Sequence, residues 1–175
     1  IQANRTYLYD AGEVLYPFGH GLSYTTFAYS NLTAEKKAGG VLFRLTVENT
    51  GERDGDEVVQ LYAQALTSRV KRPLRQLCAF QRVHVPAGER CPVTLFVPQH
   101  ALEFYDVTRE KMVMEQGRYA FRAGASSADI RLELELTLDG ETIPPRDLGA
   151  PVLCKNYDDK FGIATTLQFS KGQND

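Results

Sequence analysis

The sequence predicts an all-β fold in which seven antiparallel strands form a two-sheet sandwich, preceded by an extended N-terminal arm and followed by a C-terminal tail. Three observations predict it. Apolar and polar residues alternate with a period of two in several short runs, most clearly over 41–49 and 130–138. Clusters of Gly, Pro, Asn and Asp separate those runs. No stretch keeps a helical period long enough to cross between parallel strands, so the runs must pair antiparallel.

Residues 1–26 do not alternate. Tyr7, Leu8, Tyr9 and Val14 are apolar without a period, and the run Tyr16-Pro17-Phe18-Gly19-His20-Gly21-Leu22-Ser23-Tyr24 suits neither helix nor strand. Pro17 fixes its own φ and lacks a backbone donor, while Gly19 and Gly21 permit tight or left-handed backbone. This segment reads as an extended arm and connector. A first strand is expected over 27–36. Gly39-Gly40 then opens the strand 41–49, with Val41, Phe43, Leu45 and Val47 on one face and Arg44, Thr46 and Glu48 on the other. Asn49 to Gly55 is a turn, and alternation resumes over 56–64. The fourth strand, 77–85, has Val83 and Val85 in phase and Phe80 out of phase, which suggests a bulge between them. Pro86 to Glu89 turns the chain into Val93, Leu95 and Val97, and Gln99 to Asp106 holds one helical turn at most. Tyr119, Phe121 and Ala123 make the sixth strand and 130–138 the seventh. Seven such strands in a 27–138 domain fit a sandwich of immunoglobulin or fibronectin type III kind. Residues 139–175 read as a linker and tail, with a possible strand at 163–169.

Composition narrows the function. A net charge of −2 argues against nucleic acid or an anionic membrane as partner, because both need a basic face. No apolar run approaches the ~20 residues that span a bilayer. Were Val85 and Cys91 to face each other across their turn, Cys78 and Cys91 would sit roughly 23 Å apart, too far for a disulfide. Free thiols favour a reducing, cytoplasmic compartment over a secreted or periplasmic one. The sequons Asn4-Arg5-Thr6 and Asn31-Leu32-Thr33 are frequent by chance.

Catalytic chemistry is sparse. His20, His84 and His100 have no metal-ligand spacing, Asp158-Asp159 offer too few oxygens for calcium, and Ser23 lies in no nucleophile elbow. Glu52, Asp54, Asp56 and Glu57 crowd one turn, where acidic residues cap and stay wet; a hydrolase built on Asp54 and Glu57 is the bolder reading of them. No catalytic, cofactor-binding or metal-binding residue is therefore assigned. The aromatic residues of the arm instead form an apolar patch unless something covers them, and such patches mark interfaces. Tyr7, Tyr9, Leu15, Tyr16, Phe18, His20 and Tyr24 are the candidate domain-interface residues. An autonomous carbohydrate-binding or adhesion module is the alternative.

Tyr16-Pro-Phe-Gly-His-Gly-Leu-Ser-Tyr24 with Thr25-Thr26-Phe27, Val47-Glu-Asn-Thr-Gly51 and Gly55-Asp-Glu-Val-Val-Gln-Leu-Tyr62 carry a family resemblance. So do Arg72-Pro73, Phe80-Gln-Arg-Val-His-Val85 with Pro86-Ala-Gly-Glu89, and Phe104-Tyr-Asp106. Together, over about residues 5–138, they resemble the fibronectin type III-like C-terminal domain of glycoside hydrolase family 3, with His20 where the family often has Tyr. The resemblance implies a β-glucosidase or β-xylosidase built from a (β/α)8 barrel, an α/β sandwich and this accessory domain. The nucleophile and the acid/base residue would belong to the first two, which would be the partners of the arm. It also implies that the loop near Arg72 lies where some members reach an oligosaccharide at the active-site rim. The stretch 155–163 is faintly similar to the opening of appended sugar-binding modules.

Overall fold

A computed structural model describes residues 6–9, 14–68, 70–107 and 109–142. The tail from 143 onward, including the possible strand at 163–169, lies outside the described residues. The seven expected strands are present as β1 (Phe27–Lys37), β2 (Gly40–Asn49), β3 (Gly55–Ala65), β4 (Gln76–Val85), β5 (Arg90–Pro98), β8 (Gly117–Gly124) and β9 (Ile130–Leu138). A 3-10 turn, Gln99–Leu102, leads into a short ribbon of β6 (Phe104–Asp106) and β7 (Lys111–Val113) that alternation over three residues could not announce.

The strands form one sheet in the order β1-β2-β5 and a second in the order β4-β3-β8-β9, all paired antiparallel. Val41, Phe43, Leu45 and Val47 of the first sheet and Val59, Leu61, Tyr119, Phe121 and Ala123 of the second are buried between them. Phe43 and Phe121 meet at the centre with ring centroids 4.6 Å apart.

Two expectations change. The Pro86–Glu89 turn does not fold β4 back onto β5; it carries the chain from one sheet to the other, and Cys91 pairs with Val47 on β2. Both flanking strands bury one valine-rich face, and those faces can meet only across a core. Glu89 N–H closes the turn on Pro86 O at 3.1 Å, with Gly88 at φ +73° supplying the left-handed position. The bulge in β4 falls before Phe80: Leu61 pairs with Ala79 and Tyr62 with Leu77, leaving Cys78 as the extra residue.

Cys78 is packed into this bulge with its Sγ 3.1 Å from Leu61 O, and burial pushes its thiol up to about 12. At pH 8 only about one part in ten thousand of such a group is thiolate. N-ethylmaleimide should therefore label Cys78 only after the domain is unfolded, as read by peptide mass spectrometry. Rapid labelling of the native chain at Cys78 would contradict the packing described.

At the opposite open side of the sandwich, Glu57 is buried, contrary to the expectation that the whole acidic turn stays wet. Tyr29 Oη donates to its Oε1 at 2.7 Å and Arg131 Nη1 at 3.2 Å, with the guanidinium 4.6 Å above the Tyr29 ring. Burial and then the Glu57 carboxylate raise the Tyr29 phenol above its ordinary range. The trio ties β1, β3 and β9 together and seals that edge.

Candidate docking surface

The connector crosses the outer face of the four-stranded sheet and is held at two places. The upper one is the turn Pro17–His20, closed by His20 N–H on Pro17 O at 3.0 Å. Gly19 sits there at φ +81°, and a Cβ would collide with the Gln60 amide. Gln60, buried on the outer face of β3, donates to Gly19 O at 3.1 Å and to Ala125 O, and its Oε1 accepts from Tyr62 Oη at 2.6 Å. Ser127 N–H adds a bond to Phe18 O at 2.9 Å. At the lower end Thr25 Oγ1 donates to Asn49 Oδ1 at 2.6 Å, and Thr50 N–H donates to Thr26 O at 2.9 Å.

Between and before these anchors the apolar side chains point outward. Leu15, Leu22 and Tyr24 are each 94% exposed and Tyr16 is 79% exposed. His20 is exposed too, its ring centroid 5.6 Å from that of Tyr16. Such exposure is what an isolated chain in water avoids, at about 1.5–3 kcal/mol for each large apolar side chain left uncovered.

The candidate residues thus fall into two groups. Tyr7 and Phe18 stack on each other at 4.0 Å, and Tyr7 meets Tyr62 edge-on at 6.5 Å. Tyr9 lies under the Lys71 ammonium, 5.5 Å from ring centroid to nitrogen, and Leu8 O accepts from Leu74 N–H. Those three aromatics bind the arm to its own domain. Leu15, Tyr16, His20 and Tyr24 remain open, and Leu22 joins them; its place directly after Gly21, in a run without a period, was the signal for it. Gln60 reads in sequence as an ordinary polar position on a strand, so its role under Gly19 was not visible there.

The acidic turn assembles no reaction centre. Asp54 Oδ1 caps Ala87 N–H at 2.9 Å, Asp56 is held below the usual carboxylate range by His84 and Arg82, and Glu57 turns inward. Arg72 also turns inward, donating to Leu102 O at 2.9 Å over the Phe104 ring.

A family model for the fibronectin type III-like domain matches residues 57–127. The chain is 42% identical to a probable β-glucosidase K of Emericella nidulans over 123 residues, covering 69% of this chain and 14% of that protein. It is 37% identical to a xylan 1,4-β-xylosidase of Xylanibacter ruminicola over 137 residues, covering 77% of this chain and 16% of that one. Among solved structures, β-glucosidase 3B of Thermotoga neapolitana in complex with glucose superposes with a TM-score of 0.70 at 36% identity, over 75% of this chain and 18% of that chain. A family 3 β-glucosidase of Bifidobacterium adolescentis does so with a TM-score of 0.69 at 33% identity, over 76% and 20%. The chain thus spans a fifth or less of the length of each of these relatives. Residues 57–127 form a fibronectin type III-like domain, and the chain is similar to a stretch of glycoside hydrolase family 3 enzymes of the β-glucosidase and xylosidase type.

Proposed function

We propose that this chain is the non-catalytic accessory domain of a family 3 β-glycosidase, docking through its connector on the catalytic domains and stabilising them. The parent enzyme would hydrolyse O-glycosyl bonds of β-glucosides or β-xylosides; this domain contributes no reacting group. The observation that carries the reading is the connector itself. Its backbone is pinned at Gly19 and Thr25, yet Leu15, Tyr16, Leu22 and Tyr24 face water. A rigid backbone presenting uncovered aromatic and aliphatic side chains is pre-organised for association, since little ordering entropy remains to be lost.

The test is made in the enzyme that carries the domain. Leu22→Ser with Tyr24→Ser should lower the melting temperature of the catalytic body by several degrees while leaving that of the isolated chain unchanged. An unchanged enzyme would sink the docking role. Saturable glycan binding by the isolated chain would favour a sugar-binding module instead, and turnover of an aryl β-glucoside by it would overturn the non-catalytic assignment.

A further inference from the structure

The chain has two methionines, Met112 and Met114, both at even positions of one short run. Strand alternation by itself would send them to the same face. The structure separates them. β7 ends at Val113, and Met114 O accepts from Glu141 N–H at 2.9 Å on the way to β8. Met114 joins the hydrophobic core at 8% exposure, whereas Met112 keeps 52% of its surface in water.

Met112 also has a defined neighbour. In the β6–β7 ribbon it is the cross-strand partner of Tyr105, the middle pair of three, between Phe104–Val113 and Asp106–Lys111. Side chains directly opposite in an antiparallel pair have Cβ atoms about 5 Å apart, within reach of one another for a thioether and an aromatic ring. Tyr105 is exposed as well, so this pair forms the open face of the ribbon. The opposite face is fastened to the domain. Val113 and Asp106 are buried, Asp106 pairs with Arg109 at 3.3 Å, and the Arg72 guanidinium lies 4.5 Å over the Phe104 ring. A two-stranded ribbon this short is marginal by itself, so it depends on each pair it has.

We propose that Met112 is a reversible oxidation site and that its oxidation loosens the β6–β7 ribbon. The thioether sulfur attacks one oxygen of hydrogen peroxide and the O–O bond breaks. That oxygen stays on sulfur as the sulfoxide, and the other leaves as water; sulfur is oxidised and peroxide is reduced by the same electron pair. A buried thioether meets the oxidant only when its surroundings open, so Met114 is spared. The sulfoxide is polar and chiral, and it replaces the apolar partner of Tyr105 with one that prefers water. Sulfoxide reductases reverse the step: two thiols become a disulfide, and the oxygen departs as water.

The test treats the full chain with dilute hydrogen peroxide and reads it by peptide mass spectrometry and amide exchange. Fragment ions should place the added oxygen on Met112 several-fold faster than on Met114. Amides of β6 and β7 should then exchange several-fold faster, while those of Phe43 and Leu45 in the core of β2 keep their rates. A mixture of the two sulfoxide reductases, one for each epimer, should restore the ribbon. Met112→Leu keeps the apolar bulk and should retain the slow exchange while losing the response to peroxide. Met112→Gln, polar from the start, should show fast exchange in β6 and β7 without any oxidant. Equal oxidation of the two methionines would overturn the site. Selective oxidation with unchanged exchange in the ribbon would overturn the loosening, and so would a Met112→Gln ribbon that exchanges as slowly as the native one.

Discussion

Phe121→Ala is expected to destabilise the domain by about 3–5 kcal/mol, the range for deleting a fully buried phenylalanine. Phe121 has no exposure, sits on β8 between Ala63 of β3 and Leu134 of β9, and meets Phe43 from the facing sheet. Truncation removes the ring contact between the two layers, and neither backbone can follow, because each is held by its own ladder. Against a total stability of about 5–15 kcal/mol, such a loss consumes a large share. Urea unfolding followed by fluorescence should show a lower midpoint with an unchanged slope, since the same surface is exposed on unfolding. Phe121→Leu should cost clearly less, because most of the volume stays. A loss below about 1 kcal/mol for the alanine variant would mean the ring is not in the core, and so that β8 is out of register by one residue.

The same geometry explains what could be read without coordinates. Val41, Phe43, Leu45 and Val47 alternate because one face of β2 is buried, so strand and core were written together. The Pro86–Glu89 turn was not legible in the same way. A four-residue turn with Gly88 at positive φ serves a hairpin or a change of sheet equally well. The choice depends on where Val83, Val85, Val93 and Val97 find their packing partners, which is a property of the whole sandwich. Phe80 did leave a trace, being out of phase with Val83 and Val85. The local explanation, a bulge, exists two residues earlier at Cys78, and Phe80 itself is out of phase because it faces outward. The connector announced itself by aromatic content without a period. Its division into residues that grip the sheet and residues that face away required Gln60 and Tyr62, whose burial only the folded arm creates.

Asn49→Leu should cost about 2–4 kcal/mol, although leucine has the same number and branching of side-chain heavy atoms as asparagine and is far more apolar. The expectation comes from what Asn49 holds. It is completely buried at the end of β2. Its Nδ2 donates to Arg53 O at 2.7 Å and Val85 O at 2.9 Å, and its Oδ1 accepts from Gly51 N–H at 3.1 Å and from the Thr25 hydroxyl. Its backbone N–H donates to Glu89 O and its carbonyl accepts from Gly88 N–H, both at 3.0 Å. Both places where the chain changes sheets after β2 and β4, and the lower anchor of the connector, thus converge on one side chain. Leucine leaves the Val85 carbonyl and the Gly51 amide without their partners, and a buried polar group left alone costs more than the original bond contributed. Thr25→Val removes only the connector's share and should cost about 1 kcal/mol. Combining the two substitutions should give less than the sum of the single effects, because Thr25 has already lost its acceptor in the leucine variant. Hydrogen exchange supplies the local readout: the Gly51 amide and the amides of Thr25 and Thr26 should exchange faster in Asn49→Leu, while those of Phe43 and Leu45 in the middle of β2 slow or quicken only with global stability. Strict additivity, or unchanged exchange at Gly51, would show that the connector and the sheet-crossing turns are held independently of Asn49.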